Sequence, residues 1–531
     1  MRTEKGKKMK QLFSVFVMIS VLTGCTQPWQ ESQEISSEGA TGIVFNDINR
    51  NGKRDMGEPG IAGVHVSNGR DIVTTDRNGR YRLEVEEAII FVIKPRNWMT
   101  PVNKVNLPDF YYIHKPAGSP AGLRHPGIGP TGPQPESIDF ALYKHPEPKR
   151  FDVVIFGDPQ AMNLKEVNYM AHDAIEEVAG IDAAFGASLG DIVCDNIEDF
   201  DLVNEIISLI GLPWYNVAGN HDINYYAQGD ADSLETFSRV YGPAYYSFNY
   251  GPVHFLVLDS IVAYREDEER LSYYEGLDSK QLEFIRNDLS LLDKGQLVVL
   301  LMHGSENLFE QGRRKLFEIL EQHPYTVSVA GHTHRTEHLF LGKEYDWYGS
   351  NPHHLYISGT VSGAWWTGVP DEVGIAHATM TNGVPNGYSV LSFDGNEYTI
   401  RFKAFRRPED YQMNIWAPEE ICADKAAEGE IVVNVFAASE RSKVQMRIGE
   451  SNSWIDMERV TRKDPYFEQV LDYEEKYNIP RYSWATEASE TGHIWRADLP
   501  ANLPEGACFI HVREIDMFGQ VHTGRRLIRI K

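Results

Sequence analysis

The sequence predicts an α/β layer fold in the middle of the chain, with β-rich regions at both ends. Residues 153–156 form a continuous apolar run, which is typical of a strand buried on both faces. Residues 163–179 then show apolar residues at helical spacing, and 183–189 is predicted to be a second strand. Because strand, helix and strand follow one another in this way, we expect helices packed on a sheet.

The same alternation continues to about residue 405, so residues 151–405 are predicted to form one domain. Two further helices are expected at 197–210 and 278–292. The remaining predicted strands of this domain are 214–217, 254–258, 297–302, 327–330 and 355–357.

Short strands separated by turn residues predict a β-sandwich domain on each side of this core. The N-terminal domain is expected over 41–145, with an Asn78-Gly79 turn and an irregular Pro- and Gly-rich segment at 116–138. After about residue 410 the helical pattern fades, and 415–531 is predicted to be the second sandwich. The strands expected in the two domains are 60–67, 76–83, 88–93, 431–436, 443–448, 507–513 and 526–530.

The first residues have the features of a targeting segment. Basic residues precede a short apolar stretch at 12–22, and 22–25 (Leu-Thr-Gly-Cys) resembles a bacterial lipobox. The resemblance implies that 1–24 is a lipoprotein signal peptide and that Cys25 carries lipid, with 25–40 as a polar tether. An ordinary signal peptide with a chance cysteine is the alternative. We expect a lipid-anchored protein of the cell envelope, at the periplasmic or surface face of an outer membrane.

Composition excludes some functions. Hydrophobic residues make up 42% of the 531 residues, which is enough to bury a core. The net charge of −25 argues against binding to a nucleic acid duplex, which needs a basic face. Besides Cys25 there are three cysteines, an odd number that is no disulfide framework. A bridge between Cys422 and Cys508 is left open.

Five clusters of metal-ligand residues lie where predicted strands end. Since the carboxyl ends of strands in an α/β sheet share one edge, we expect these clusters to meet there. Together they offer carboxylate, amide and imidazole ligands on rigid strand ends, which is what a two-metal hydrolytic site requires. The clusters are Gly-Asp-Pro-Gln at 157–160, Gly-Asp at 190–191, Gly-Asn-His-Asp at 219–222, His303, and Gly-His-Thr-His at 331–334.

Each ligand can be given a role from its chemistry. Asp191 can bridge two cations, because one carboxylate offers an oxygen to each. Oxygen and imidazole ligands without a thiolate favour Mn, Fe or Zn, and a water bridging two such cations becomes a hydroxide nucleophile. His221 is the candidate acid, with Asp222 expected to fix its tautomer. One cation would be completed by Asp158 and His334, and the other by Asn220, His303 and His332.

These clusters resemble, in order, the five motifs of the calcineurin-like metallophosphoesterases, GDxH, GDxxD, GNH[DE], H and GHxH. The resemblance covers about 151–405 and implies a four-layer α/β/β/α core and hydrolysis of a phosphate ester. It implies that His221 is the acid and that the metal ligands are Asp158, Asp191, Asn220, His303, His332 and His334. The flanking regions resemble accessory modules that accompany such enzymes.

Two positions depart from the family pattern. Gln160 stands where the family usually has His. Its amide oxygen can still bind a cation, as a weaker ligand that favours a harder metal such as Mn or Fe. The trailing carboxylate of the second motif, Asp195, is shifted by one position, which leaves any role for it open.

Substrate contacts are predicted less sharply. Trp365 and Trp366 follow the last predicted sheet strand and could stack on a sugar or base, or could equally be packing residues. Arg335 follows the last histidine and could bind phosphate, or be an ordinary surface arginine.

A loop near the N-terminus has the spacing of an EF-hand calcium loop, although no helices flank it. It resembles the Ca²⁺ loop of serine-aspartate-repeat adhesin B-type modules, which implies one structural Ca²⁺. Ordinary Asn-Gly turn chemistry is the alternative. The residues concerned are Asp47, Asn49, Asn51, Lys53, Asp55 and Glu58.

Taken together, the residues predict an exported two-metal phosphoesterase. A phosphosugar, a glycan phosphate or a nucleotide would suit it, and the sequence leaves monoester against diester open. The alternative is a lipid-anchored protein that binds carbohydrate or protein at the cell surface and carries an inactive phosphoesterase domain.

Overall fold

The computed structural model of the protein describes residues 39–266, 270–501 and 503–531. The predicted signal peptide, Cys25 and nearly all of the predicted tether lie outside the described residues. In the part that is described, no helix combines the length and the apolar character needed to cross a membrane.

The N-terminal region consists of two four-stranded sheets. They have the orders β4-β1-β8-β6 and β3-β2-β5-β7, and their buried side chains, such as Val44, Val66 and Phe91, belong to one apolar cluster. Residues 116–138 form no strand or helix, in line with their Pro and Gly content. The strands are β1 (Ala40–Asn46), β2 (His65–Ser67), β3 (Ile72–Thr74), β4 (Arg80–Leu83), β5 (Ala88–Ile93), β6 (Trp98–Met99), β7 (Tyr111–His114) and β8 (Phe140–Lys144).

The central region alternates strands and helices, as the sequence predicts. Its strands are β9 (Arg150–Phe156), β10 (Phe185–Ser188), β11 (Trp214–Asn216), β12 (Tyr246–Tyr250), β13 (Val253–Val257), β14 (Ile261–Arg265), β15 (Leu271–Glu275), β16 (Leu297–Met302), β17 (Thr326–Ala330), β18 (Glu337–Leu341), β19 (His353–Ile357), β20 (Gly387–Asp394) and β21 (Glu397–Ala404). Its helices are α1 (Leu164–Met170), α2 (Glu176–Val178), α3 (Phe200–Ile207), α4 (Asp230–Ser233), α5 (Glu235–Tyr241), α6 (Ser279–Leu289) and α7 (Arg313–Leu320).

Two sheets form the inner layers of this region, in the orders β11-β10-β9-β20-β21 and β12-β13-β16-β17-β19-β18. Side chains of β9 point alternately to two sides, as the strand period of two requires. Val153 and Ile155 join the cluster of the second sheet and of α6 and α7, whereas Val154 and Phe156 pack with α1 and α3. The predicted four-layer α/β/β/α core is therefore confirmed.

The strand ends of both sheets meet along one edge. Strands β9, β10 and β11 are parallel, and so are β13, β16, β17 and β19. The predicted ligand clusters follow directly after β9, β10, β11, β16 and β17. The hairpin β14–β15, which the sequence did not predict, forms a separate two-stranded sheet.

The C-terminal region contains two sheets, β22-β24-β28-β27 and β23-β30-β29-β25-β26. It also contains a helix, α8 (Pro465–Lys476), which contradicts the expectation that the helical pattern ends near residue 410. Asp464 caps this helix by accepting a hydrogen bond from the Tyr466 N–H. The strands are β22 (Met413–Trp416), β23 (Glu420–Ile421), β24 (Glu430–Val435), β25 (Lys443–Ile448), β26 (Ile455–Asp456), β27 (Glu458–Arg462), β28 (Thr491–Asp498), β29 (Gly506–Ile515) and β30 (Val521–Ile530).

Buried polar contacts join the C-terminal region to the core. His493 lies between the side-chain amides of Asn382 and Asn434, at 3.0 and 2.8 Å. Glu474 on α8 pairs with Arg481 and also accepts the Val369 N–H at 2.9 Å. The thiols of Cys422 and Cys508 are free, so the bridge that the sequence left open is not formed.

Candidate metal centre

The turns that carry the predicted ligands have strained backbones. Five non-glycine residues there have positive φ angles: Asp158 (40°), Gln160 (43°), Asp191 (48°), His332 (73°) and His334 (51°). Such residues rarely adopt this conformation, which costs on the order of 1–3 kcal/mol each. Strain of this kind persists only where the surrounding structure enforces it, and it concentrates at functional sites.

Two motif glycines allow the clusters to approach one another. A Cβ on Gly190 would lie 2.7 Å from Nδ1 of His303, and the φ of Gly190 is +85°. A Cβ on Gly219 would lie 2.2 Å from the backbone nitrogen of Asp191. Any larger residue at either position would therefore push the ligand side chains apart.

Four predicted ligands converge on one point, which we call the first position: Asp191, Asn220, His303 and His332. Nε2 of His303 lies 3.3 Å from Oδ2 of Asp191, 3.0 Å from Oδ1 of Asn220 and 3.1 Å from Nδ1 of His332. Across the described ranges, Asp191, His303 and His332 are the one group of three His, Cys, Asp or Glu residues whose ligand atoms all lie within 4.8 Å of one another.

Each of the three predicted histidine ligands has one nitrogen engaged outside the centre. Nδ1 of His303 lies 2.8 Å from the Leu189 carbonyl, Nδ1 of His334 lies 2.5 Å from the Gly363 carbonyl, and Nε2 of His332 lies 3.0 Å from Glu275. An imidazole that donates through one nitrogen presents the lone pair of the other, which is the usual arrangement of metal-binding histidines. The structure therefore orients these three side chains as ligands.

Glu275 was missed by the sequence reasoning. It lies at the end of β15 in the unpredicted hairpin, and its hydrogen bond with His332 holds the pKa of the Glu275 carboxyl below its ordinary value. Nothing in the local sequence marks it, because it contributes to the centre only through a long-range contact.

Asp158, Gln160 and His334 lie together beside the first position, and we call them the second position. Oδ1 of Asp158 is 3.7 Å from Nε2 of His334, and both carboxylate oxygens of Asp158 accept the His332 N–H at 3.1 Å. Nε2 of Gln160 donates to Oδ2 of Asp191 at 3.2 Å. The indole N–H of Trp365 donates to Oε1 of Gln160 and to Nε2 of His334.

Burial and charge at the centre suit a bound cation. Burial, and then the charge of Asp191, raise the pKa of Asp158 well above its ordinary value. Burial also opposes ionisation of Asp191, but the neighbouring histidines, His303 first, hold its pKa below the ordinary range. Burial lowers the pKa of His334 to about 4, so this ring is neutral and able to bind metal. Buried carboxylates beside the neutral imidazole of His334 fit a divalent transition metal.

His221 lies at the rim of the first position, with its backbone N–H donating to Oδ1 of Asp191 at 2.8 Å. Its Nδ1 lies 2.6 Å from Oδ1 of Asp195 and 3.9 Å from the sulfur of Cys194. Burial disfavours the charged ring, but the carboxylates of Asp191 and Asp195 outweigh it and raise the pKa of His221 to about 11. Asp195 therefore reaches His221 despite its shifted position in the motif.

The predicted role of Asp222 is wrong. Its buried carboxylate accepts the backbone N–H groups of Gly219 and Ile192, both at 2.9 Å, rather than holding His221. It closes the turn that it belongs to and ties this turn to the segment after Asp191. The side chain points inward because these backbone donors need an acceptor in a buried turn.

Trp365 and Trp366 lie in different environments. Trp365 lies at the centre, whereas Trp366 is 4% exposed and donates its indole N–H to the Pro159 carbonyl at 3.0 Å. The suggestion that Trp366 stacks on substrate is therefore wrong, because its ring belongs to the core. Arg335 is half-buried and lies near Glu337 and His493. Burial raises the pKa of Glu337 and lowers that of His493, and the charge of Arg335 acts to lower both. A phosphate contact for Arg335 stays a prediction.

A cavity of about 320 Å³ is lined by Asp195 and Cys194, the two residues that contact Nδ1 of His221. Arg270 lies at its wall, where it pairs with Asp195 at 3.1 Å and covers the ring of Tyr225 at 3.7 Å. Arg124 comes from the N-terminal region and lies 4.8 Å from the ring centre of Tyr226. The lining residues are Arg124, His125, Met162, Cys194, Asp195, Asn196, Ile223, Tyr225, Tyr226 and Arg270.

The loop predicted to bind calcium closes on itself through hydrogen bonds. Asp55 accepts the side-chain amides of Asn49 and Asn51 at 2.7 and 2.8 Å. Glu58 accepts the N–H of Ile48 at 2.8 Å. Carboxylates thus gather in the loop, and Ca²⁺ binding at Asp47, Asn49, Asn51, Lys53, Asp55 and Glu58 stays a prediction.

Three family models match consecutive parts of the chain. They are the N terminal of Calcineurin-like phosphoesterase at residues 48–124, Calcineurin-like phosphoesterase at 136–336, and the C terminal of Calcineurin-like phosphoesterase at 355–522. No curated protein matches the chain.

Among solved structures, the chain is similar to the purple acid phosphatase PPD1 isolated from yellow lupin (Lupinus luteus) seeds. The two are 14% identical over 65% of this chain and 69% of that chain, with a TM-score of 0.36. CopC from Methylosinus trichosporium OB3b is 9% identical over 22% of this chain and 89% of that chain, with a TM-score of 0.13.

Proposed function

The chain belongs to the calcineurin-like phosphoesterases, and we propose that this metal-dependent phosphoester hydrolase is exported and acts on a phosphosugar, a glycan phosphate or a nucleotide. The observation that carries the catalytic part is the first position. There a buried carboxylate and two imidazoles with engaged outer nitrogens direct their ligand atoms to one point.

The first position would hold a divalent cation through Asp191, Asn220, His303 and His332. When bound, such a cation supplies charge stabilisation on the phosphoryl oxygens and an activated water. Glu275 fixes the orientation of the His332 ring, and the Leu189 carbonyl fixes that of the His303 ring.

His221 is placed to protonate the leaving oxygen. Asp195 holds its Nδ1, which leaves Nε2 as the nitrogen that can serve the substrate. The perpendicular contact between the rings of His221 and Trp365, at 5.9 Å between centroids, limits rotation of the imidazole. Asp195 is thus a positioning residue and His221 the general acid.

The cavity beside His221 supports a leaving group of about the size of one sugar. Its volume of about 320 Å³ is at the small end of ligand pockets. Tyr226 is 43% exposed and offers a ring for stacking, while the Arg124 guanidinium above it suits a second anionic group on the substrate.

The proposal that the protein is exported and anchored by lipid rests on its N-terminal sequence. The basic start, the apolar stretch 12–22 and the lipobox-like 22–25 support lipid attachment at Cys25 in a cell envelope. Labelling of the full chain with a fatty-acid analogue in a bacterial host tests this, with Cys25→Ser as the matched variant. Label that persists in the variant would contradict the anchor.

The test of substrate class compares two aryl phosphate esters and two sugar phosphates. Purified residues 26–531, loaded with Mn²⁺, should hydrolyse an aryl phosphate monoester, a bis-aryl diester or both, and the ratio assigns the ester class. A sugar bisphosphate should be favoured over the sugar monophosphate, and Arg124→Ala should remove that preference by raising KM about tenfold. Equal KM values for the two sugars in the wild type would contradict the role of Arg124.

The alternative function, binding of a surface glycan, is favoured by a groove of about 910 Å³ in the C-terminal region. Trp416 and Trp454 lie on its wall, and Nε of both Arg447 and Arg526 is buried without a hydrogen-bond partner in the described structure. Such a groove suits an acidic saccharide. Binding of an oligogalacturonate without any phosphoester turnover would favour this function over catalysis.

A further inference from the structure

The indole N–H of Trp365 points at the two ligand atoms of the second position that face it. It donates to Oε1 of Gln160 and, at 2.8 Å, to Nε2 of His334. We propose that Trp365 caps the second position, so that the protein binds one divalent cation tightly and a second one only when the indole is displaced. This inference rests on the proposed function, since it concerns the same centre.

The rules of hydrogen bonding identify which atoms of Gln160 and His334 face the indole. An indole N–H can only donate, so the Gln160 atom that faces it must be the carbonyl oxygen. The amide nitrogen of Gln160 then donates to Asp191, at 3.2 Å. His334 donates through Nδ1 to the Gly363 carbonyl, so its Nε2 can only accept. The indole therefore engages the same lone pairs that a cation at the second position would need.

The first position is not affected in this way. The nitrogen atoms of His303 and His332 that face the centre have as near neighbours Asp191, Asn220 and each other. Their outer nitrogens are held by Leu189 and Glu275. The two positions are thus unequal, although the family motif supplies ligands to both.

Surrounding contacts hold the indole in place. The neighbouring Trp366 is fixed in the core by its bond to the Pro159 carbonyl, and both tryptophans have positive φ angles, of 63° and 49°. The ring of Trp484, from the C-terminal region, packs edge-on against Trp365, with centroids 4.4 Å apart and an angle of 74° between the ring planes. Tyr482 stacks on Trp484 at 5.0 Å and donates its hydroxyl to Glu166 at 2.7 Å.

The substitution of Gln for His at position 160 agrees with a capped site. A neutral amide oxygen accepts a hydrogen bond from the indole and is a weaker ligand for a transition metal than imidazole. A neutral N–H is nevertheless a weaker partner than a divalent cation for the lone pairs of an amide oxygen and an imidazole. A second cation should therefore enter at higher concentration, which gives two classes of site.

The experiment is a titration of metal-free residues 26–531 with Mn²⁺, read by calorimetry and by the paramagnetic resonance of bound Mn²⁺. We expect one tight site in the wild type and a second at least tenfold weaker. Trp365→Phe keeps an aromatic ring but removes the N–H, so it should tighten the second site at least tenfold. Trp416→Phe in the C-terminal region is the matched control and should leave both sites unchanged.

Two equally tight sites in the wild type, or an unchanged second site in a folded Trp365→Phe, would overturn the proposal. A readout on the wild type covers the case in which the variant does not fold. In ¹⁵N-tryptophan protein titrated with Zn²⁺, the indole signal nearest the centre should shift with the second equivalent and not with the first. If all indole signals stay in place while the second equivalent binds, the cap does not exist.

These outcomes separate the two proposals. Failure to bind any metal, with no phosphoester turnover, would refute the proposed function. Metal binding with turnover, but with equal sites or an unaffected indole, would refute the cap alone.

Discussion

At the scale of single residues, the orientation of the His221 ring depends on which carboxylate accepts its hydrogen bond. The sequence pattern pointed to Asp222 as the partner of His221, because it follows this histidine directly. In the folded chain Asp195 holds the ring at 2.6 Å, whereas Asp222 accepts two backbone N–H groups. Neighbours in sequence on a tight turn point in different directions, so adjacency gave the wrong partner.

His221→Ala should lower kcat by about 100-fold or more, because a positioned general acid contributes about 10²–10⁴-fold. Metal content should stay at the wild-type level, since the ring itself lies at the rim of the first position. Parallel measurement of kcat and bound Mn²⁺ checks both parts. Wild-type kcat in a folded variant would remove His221 from the mechanism.

Asp195→Asn should lower kcat without lowering stability, whereas Asp222→Asn should mainly lower stability. Without the Asp195 carboxylate the imidazole loses its fixed orientation, so kcat should fall about tenfold or more with stability unchanged. Asp222→Asn weakens the acceptor of two buried N–H groups and should cost about 1–3 kcal/mol of unfolding free energy. Urea denaturation and steady-state kinetics distinguish them, and a kcat loss confined to Asp222→Asn would reverse the assignment.

At the scale of elements, strands and their ends were predictable, but long-range contacts were not. The apolar runs at 153–156 and 297–302 lie within β9 and β16, and the motif residues follow the strands as expected. The hairpin β14–β15 and helix α8 were missed. Their sequences are rich in Tyr and charged residues, so apolar periodicity, the main clue to local structure, is weak there.

Helix α8 matters because it anchors the segment that carries Trp365. Glu474 and Arg481 are 3% and 5% exposed, and Glu474 also accepts the Val369 N–H. Glu474→Ala should lower the unfolding free energy by about 3–5 kcal/mol, because it leaves a buried arginine without its partner. Urea denaturation measures this, with the exposed neighbour Glu475→Ala as control. Equal effects of the two substitutions would contradict the anchoring role.

At the scale of the whole molecule, the order of regions followed from composition and strand pattern, but the way they pack did not. A buried polar network at His493 joins Asn382 of the core to Asn434 of the C-terminal region. Each of these residues looks like an ordinary surface residue in the sequence. Their burial is decided by docking between regions, which no local pattern records.

This network predicts loss of stability in acid. Burial, with Arg459 adding to it, lowers the pKa of His493 to about 3, against 6.5 for the unfolded chain. Because the unfolded state then binds more protons, stability is fully present above pH 6.5 and falls as the pH drops toward 3. The contribution of His493 is about 1.4 kcal/mol for each pH unit below 6.5.

Chemical denaturation between pH 7 and 4.5 of the wild type and of His493→Gln tests this. The wild type should lose more stability than the variant across that range, and the difference isolates His493. Asp464, whose pKa burial raises to about 6, titrates in both proteins and cancels to first order. Parallel curves for the two proteins would contradict a neutral buried His493.

The central claim is that Asp191 and the histidines around it form a metal-dependent hydrolytic centre. The measurement that tests it most directly is Mn²⁺ content together with turnover of an aryl phosphate ester, in wild-type residues 26–531 and in Asp191→Asn. We predict bound metal and turnover in the wild type and the loss of both in Asp191→Asn. Turnover that survives in a metal-free Asp191→Asn protein, or a wild type that neither binds metal nor hydrolyses any ester, would contradict the account.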